Sequence, residues 1–369
     1  GGFVGIKSSS SGIGEKIQFY TNGKSSNPYD RQSAKHFKYS DSYGFYLSNK
    51  SGGLADRLDE KDINLKRFDI HNLKKTDIKI ELPNLNRLVI NKYWGIAYKL
   101  NILDNEHFEI ITKAIDKEYK SMTFYRTIYD KEGKKINDLK YDIDLKGLYL
   151  VNSFNEGGYR FLNSSERMVF GDDLSINNYI IDKNTNDIFV YGLFGKESEK
   201  SPSGYYIFKF SEKGEKLFES INYITNKDFQ DEAYKSYLYN APTIIGNKLL
   251  FVAGRTDVFF DRFLNYNYSF LDINSGKEIS SKFITYKIEK LDGHRNFIEA
   301  WHTNKELKNK ALDRNAYVLY DCNPSIKKHI NSIVNKEKVS IKCEISSDGI
   351  WLLESDNEEY YKVTYFEHN

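Results

Sequence analysis

Two stretches gather side chains that can do chemistry. The run from Gly254 to Arg262 holds Arg255, Asp257, Asp261 and Arg262, with Phe259, Phe260, Tyr266 and Tyr268 close by. Paired carboxylates are what acid–base cleavage of a glycosidic bond uses. Arginines beside aromatic rings grip a sugar or an anion through directed N–H donors and apolar contact. The plainer reading is a set of solvated ion pairs, each worth little. The second stretch holds Asp292, His294, Glu299, Trp301 and His302. Imidazole with carboxylate can bind zinc or take a proton. In a strand, however, side chains alternate, so Glu299 and Trp301 share one face and His302 takes the other. No HExxH or paired Cys/His spacing occurs, and no metal or cofactor is expected. The candidate ligand-binding set is Arg255, Asp257, Asp261, Arg262, Tyr266, Trp301 and His302; no catalytic residue is assigned.

Other patterns fall short of a site. Asp182 to Asp187 has Asp, Asn and Asn at alternate positions, like the start of a calcium loop. That loop needs Gly at its sixth position and Glu at its twelfth; Asp187 and Leu193 stand there instead, so the segment reads as a turn. No glycine-rich phosphate loop precedes a helix and no GxSxG elbow is present, which argues against nucleotide and α/β-hydrolase chemistry. Basic and acidic residues nearly balance, 54 against 52. Lys74-Lys75 and the Lys131–Lys135 stretch are interleaved with acids, so no basic face for nucleic acid is expected.

The elements that must position these residues read as strands. The chain has 29 Tyr and 24 Phe against 2 Met, a composition suited to pleated, half-buried surfaces. The clearest unit is Asn178–Ile181, Ile188–Phe194, Tyr205–Phe210 and Leu217–Ile224, with turns at Asp182–Asp187 and Ser211–Lys216. A second copy runs through Pro242–Ile245, Lys248–Ala253, Tyr268–Ile273 and Glu278–Ile288, its last turn at Asn274–Lys277. A third is Lys35–Tyr39, Gly44–Ser48, Lys66–Ile70 and Asp77–Leu82. A fourth opens with Arg87–Ile90 and Trp94–Leu100 and closes with Thr123–Tyr129 and Ile136–Ile143 around Asp130–Lys134. The last, Ser340–Ile345, Ile350–Glu354 and Tyr360–Phe366, has three strands. Gly147–Phe170 and His294–Val334 fit less well; in the latter Asn296–Trp301 and Ala316–Tyr320 read as strands.

Four antiparallel strands in each repeat resemble the blades of β-propellers in general. Ser346-Ser-Asp-Gly-Ile-Trp351 also resembles the Asp-box turn of sialidase-type propellers, one residue short between Asp348 and Gly349; such boxes are structural turns. The resemblance implies an all-β fold: a single domain over 1–369 of about six four-stranded blades, with short helical insertions in loops. The ring would be closed by the strand at 15–20 joining the 340–366 blade, which removes exposed edges.

Connections are expected to be lopsided. Turns between first and second and between third and fourth strands are short. Links at Asn49–Leu65, Asn101–Met122, Gly195–Gly204, Asn226–Ala241 and Gly254–Asn267 are long and emerge on one face, where loops on a rigid scaffold carry binding. Helical spacing appears in Glu106–Lys120, Asp228–Leu238 and Lys305–Leu312. The expected function is a binding or scaffold module for a protein or glycan through this long-loop face. The alternative is a glycan-active hydrolase or lyase with acids at the channel mouth. The expected first strands carry no acid, which favours binding over catalysis. No run reaches the ~18 apolar residues of a membrane helix. Gly1-Gly2-Phe3 leaves room for a removed leader and hence a secreted or periplasmic protein. Cys322 and Cys343 lie in neighbouring expected elements, where a bridge or two buried thiols are both open.

Overall fold

A computed structural model describes residues 5–10, 15–21, 24–25, 38–39, 42–47, 62–69, 71, 74–81, 90–91, 95–96, 98–151, 179–182, 184–197, 202–230, 236–257, 263–285, 310–333, 339–346, 348–356 and 360–368. The fold is all-β, built largely of four-stranded, mostly antiparallel sheets with short helices between strands. It divides into two compact units.

The first unit comprises Gly1–Gly147, Glu156–Asn178 and Lys213–Glu215. Strands β1 (Gly5–Ser10), β2 (Glu15–Thr21) and β3 (Lys24–Ser25) form one antiparallel sheet in that order. A four-stranded sheet follows: β4 (Lys38–Tyr39), β5 (Tyr43–Leu47), β6 (Asp62–Asp69) and β7 (Lys75–Glu81). After the two-residue pair β8 (Ile90–Asn91) and β9 (Gly95–Ile96) comes a second: β10 (Tyr98–Ile102), β11 (His107–Ile115), β12 (Ser121–Asp130) and β13 (Lys135–Asp144).

The second unit comprises Leu148–Asn155, Tyr179–Glu212 and Lys216–Asn369. Its first sheet is β14 (Tyr149–Val151) and β15 (Tyr179–Ile181), which share one edge of β16 (Ile188–Gly195), followed by β17 (Gly204–Phe210) and β18 (Lys216–Tyr223). The short helix α1 (Lys227–Gln230) leads to β19 (Ser236–Ile245), β20 (Lys248–Asp257), β21 (Phe263–Asp272) and β22 (Glu278–Thr285). Then come β23 (Lys310–Leu312), helices α2 (Arg314–Cys322) and α3 (Pro324–Ser332), and β24 (Val339–Ile345), β25 (Gly349–Asp356) and β26 (Tyr360–Glu367).

Burial follows strand order within each blade. Both faces of β16 and β17 are covered along their whole length, as their unbroken apolar runs require. The fourth strands β13 and β22 are largely exposed, and β18 is mostly half-buried. The turn from third to fourth strand is built alike three times. Gly133, Gly214 and Gly276 have φ of 89°, 89° and 67°. A register shift sits beside each turn, at Ile128/Tyr129, Lys209/Phe210 and Phe270/Leu271. Glycine supplies the left-handed residue that such a bulged hairpin needs. A Cβ on Gly133 would overlap Ile78 of β7, and one on Gly276 would overlap Phe218 of β18. The same turn thus rests on the fourth strand of the preceding sheet in both units.

In the second unit the sheets pack face to face. Phe189, Tyr205 and Ile207 of the first meet Leu249, Phe251 and Leu271 of the next in one buried cluster. Tyr205 stacks on Phe251 with ring centroids 4.3 Å apart. The opposite face of that second sheet, through Leu250, Val252, Tyr266 and Tyr268, packs against Val318 of α2. Helices α2 and α3 in turn cover one face of β24–β25.

Several expectations are corrected. Residues 106–120 are not helical: His107–Ile115 is strand β11, with both faces buried. Burial on both faces hides the period-two pattern, and Phe108, Ile111 and Ile115 match helical spacing by coincidence. The reverse error falls at Ala316–Tyr320, read as a strand; five successive buried residues there form the middle of α2, whose N-cap Asp313 accepts from the Ala316 amide at 2.8 Å. Of the helix expected at 228–238, 228–230 lie in α1, 236–238 are strand and 231–235 lie outside the described residues; Lys310–Leu312 is strand, with 305–309 outside the described residues. Residues 15–20 do not complete the last blade: β2 is flanked by β1 and β3, and the fourth strand of the last sheet is β23, parallel to β24. Among the described residues five sheets are four strands wide and a sixth, β1–β3, is three strands wide. The long links at 101–122 and 254–267 are mostly strand, so the lopsided loops do not appear there. Cys322 and Cys343 are both free thiols. Among the described residues no helix is long and apolar enough to cross a membrane.

Candidate functional site

Arg255 and Asp257 lie on β20 and Tyr266 on β21. The register pairs Arg255 with Asn265, and Gly254 with Tyr266. Directly paired residues share a face and neighbours along a strand alternate. Arg255 and Tyr266 therefore point to opposite faces, and the pleat keeps them apart.

Arg255 is buried on the face that carries Phe251 and Ala253. Its Nε donates to the Phe229 carbonyl of α1 at 2.8 Å. Its cross-strand partner Asn265, also buried, donates from Nδ2 to the Asp228 carbonyl at 3.1 Å. Asn240, Asn267 and Ser269 are buried on the same face, and Asn267 Nδ2 donates to Ser269 Oγ at 2.8 Å. Burying a guanidinium and several amides is costly unless they are bonded. Here two of them hold the main chain of the β18–β19 connection.

That connection is also fixed from within. The Asp228 amide donates to Asn226 Oδ1 at 2.8 Å, and Gln230 Nε2 donates to the Ile224 carbonyl at 3.0 Å. Thr285 Oγ1 donates to Asp228 Oδ2 at 3.4 Å. Phe229 anchors the turn in the core between the two sheets. The segment leaves Tyr223, Thr225, Lys227, Asp228 and Gln230 exposed. Tyr223, 56% exposed, is braced edge-on by Phe194 at 5.0 Å. The result is an exposed phenol ring and a run of polar side chains on a fixed backbone.

Tyr266 instead holds helix α2. Its Oη donates to the Asp321 carboxylate, and Tyr268 Oη donates to the Asp321 carbonyl at 3.4 Å. Between this face and α2 lies a cleft of about 10 Å³ lined by Tyr239, Val252, Phe263, Arg314 and Val318, room for about one water. Arg314 stands 4.7 Å over the Tyr239 ring. Burial pushes the Tyr239 hydroxyl up, against the pull of the Arg314 cation.

The Asp257 backbone pairs with Ser236 at the end of β20. Asp261, Arg262, Trp301 and His302 lie outside the described residues. Two further polar constellations were not singled out from sequence. His329 Nε2 meets Glu354 Oε1 at 2.7 Å, with Thr364 and Lys362 at 3.4 and 3.7 Å from the same oxygen. This network ties α3 to the last sheet. Glu109 and Arg126 form a buried ion pair, with Asn101 donating to Glu109 at 2.8 Å. The role of Asn265 was signalled by the alternation Asn265-Tyr-Asn267-Tyr268, in which amides share one face and aromatics the other. Among the described residues no group of three His, Cys, Asp or Glu is placed to hold a metal.

No protein-family model and no curated protein matches the chain. Among solved structures it is similar to a GH43_1 enzyme from Xanthomonas citri complexed with xylotriose, at 8% identity, TM-score 0.31, over 90% of this chain and 85% of that one. It is similar to an alpha-L-arabinanase of Penicillium chrysogenum complexed with arabinobiose, at 6% identity, TM-score 0.33, over 88% and 77%. A Synechocystis apocarotenoid oxygenase mutant matches at 10% identity, TM-score 0.32, over 77% and 60%. At these scores the likenesses carry no argument on fold or activity.

Proposed function

We propose that this chain is a propeller-type binding module that recognises a saccharide at the rim formed by Tyr223–Gln230. The observation that carries the reading is the spending of buried polar groups, Arg255 and Asn265, on the carbonyls of Phe229 and Asp228. A connection held in one conformation loses little entropy on binding, which is what preorganised recognition needs. The exposed groups suit a saccharide: a phenol ring stacks on apolar sugar faces, and Asp228, Gln230 and Lys227 offer acceptors and donors for hydroxyls.

The test is thermal unfolding of the whole chain against an oligosaccharide panel headed by xylotriose and arabinobiose. A ligand bound only to the folded state stabilises it by about 2.7 kcal/mol at a hundredfold excess over Kd. The expected result is a raised midpoint with at least one saccharide, abolished by Tyr223→Ala and Asp228→Ala. A shift that survives both substitutions refutes the rim, and no shift with any saccharide refutes the ligand class.

A second reading, a glycan-active enzyme, is supported by one placement. Asp257 stands two residues beyond Arg255 on β20, at the sheet end where Asn265 holds Asp228. Two acids at one strand end are the raw material of glycoside hydrolysis. Release of reducing ends from a saccharide that raises the midpoint, lost in Asp228→Asn and in Asp257→Asn, is the outcome this reading requires.

A further inference from the structure

We propose that the 226–230 turn occupies, with its own oxygens, a site for a small neutral polyol on the row formed by Arg255, Asn265 and Thr285. The β20–β21–β22 register sets these three residues side by side on one face. Each donates to the turn: Arg255 Nε to the Phe229 carbonyl at 2.8 Å, Asn265 Nδ2 to the Asp228 carbonyl at 3.1 Å, and Thr285 Oγ1 to Asp228 Oδ2 at 3.4 Å. The next row, Asn240, Ala253 and Asn267, is buried as well, with the small Ala253 between two amides. The row and the turn both belong to the second unit.

The bonding of the row selects its guest. Asn265 is 6% exposed, and its amide is oriented by the Asp228 carbonyl, which must face Nδ2. Its Oδ1 is buried and, among the described residues, accepts no hydrogen bond. A buried acceptor left in this way is costly. The turn does not relieve it, because the carbonyls and the carboxylate that meet the row only accept. A better guest accepts from the three donors and also donates to Oδ1. A carboxylate fails at Oδ1. An ammonium fails at the three donors and is repelled by Arg255. A run of neutral hydroxyls meets both demands, since each hydroxyl donates and accepts. Such a guest must displace the turn, buried Phe229 included. Helix α1 is a single turn of four residues, the kind of element that opens locally. An open fraction of about 1% makes the apparent affinity about a hundredfold weaker than the intrinsic one. The inference goes beyond the rim reading, which uses the outward side of the same turn in its held conformation. Occupancy of the row and occupancy of the rim therefore exclude each other.

The experiment is hydrogen–deuterium exchange of the full chain, read by mass spectrometry. Erythritol and xylitol are the probes; sodium acetate and methylammonium chloride are the controls. A polyol, and neither control, should speed exchange of the Phe229 amide saturably, by about threefold or more. Polyols otherwise favour compact states through exclusion from the protein surface, so residues 249–253 should slow or stay unchanged. Asn265→Leu should speed basal exchange of the turn and remove the polyol response. Where that variant does not fold, Thr285→Val, at an exposed position, should weaken the response instead. Tyr223→Ala, which strips the rim of its ring, should leave the response intact, so failure of this site and failure of the rim are read separately. The absence of any polyol response, an equal response to acetate, or a response unchanged in both Asn265→Leu and Thr285→Val each overturns the proposal.

Discussion

Arg255→Met is the perturbation that bears most directly on the rim. Methionine keeps the apolar stem, so packing against Phe251 and Ala253 is largely preserved, while the guanidinium is lost. The Phe229 carbonyl then loses a charged donor that stood 2.8 Å away. Hydrogen bonds to charged groups contribute about 1.5–3 kcal/mol, and a stranded buried carbonyl is at the costly end. Taking about 2 kcal/mol, local opening of the 226–230 turn should rise roughly thirtyfold. Hydrogen–deuterium exchange read by mass spectrometry reports it: the Phe229 amide, bonded to the Asn226 carbonyl at 3.2 Å, should exchange about thirtyfold faster. Amides of β20 at Leu249–Ala253 should move much less. Equal acceleration at both places would refute the reasoning, because Arg255 would then be an ordinary part of the core.

Breaking the buried Glu109–Arg126 pair by Arg126→Met should cost about 3–5 kcal/mol in urea unfolding, while Glu109→Leu with Arg126→Met together should recover most of it. Burial draws the Arg126 guanidinium down, but the Glu109 charge and hydrogen bond outweigh it and hold the group above its usual range. Asp116 governs acid stability at the β11–β12 turn. Burial raises its carboxyl, yet the Ser121 hydroxyl and the Lys120, Ser121 and Glu118 amides draw it below the usual carboxylate range. Its contribution is therefore present above the unfolded carboxylate range and lost as pH falls through the lower folded value; Asp116→Asn should flatten that acid limb in pH-dependent unfolding. Burial pushes the Cys322 and Cys343 thiols up to about 12. Both should resist iodoacetamide at pH 8 until the chain unfolds, and their contribution to stability should decline as pH rises above the unfolded thiol range. Gly276→Ala should destabilise by about 1–3 kcal/mol, from a strained positive φ and collision with Phe218, read from the denaturant midpoint.

Strand type and hairpin chemistry were legible because their signals are local. Asp130-Lys-Glu-Gly133 and Asn274-Ser-Gly276 name their turns, since a left-handed residue must sit where the bulge falls. Ile188–Gly195 announces a strand covered on both sides by its unbroken apolar run. The same completeness of burial defeats periodicity elsewhere: Phe108–Ile111 and Ala316–Tyr320 are both buried without a break, and one is strand while the other is helix. What separates them is local capping at Asp313 and the sheet or helix each must cover.

The candidate site divides the same way. Arg255 was singled out for its charge and its aromatic surroundings, and it does lie at a strand end beside a connection. Its partner was beyond reach of the sequence, because Phe229 is 26 positions away and offers only a backbone carbonyl, which every residue has. Tyr266, adjacent in thought, faces the other way, since the β20–β21 register rather than proximity in sequence decides who shares a face. Composition, turn residues and alternation thus determined by themselves that the chain makes antiparallel, mostly four-stranded sheets. Which faces those sheets cover, where the helices fall, and which loop the buried polar groups hold were decided only by tertiary packing, because long-range register is set by the sum of many contacts and by no single stretch of chain.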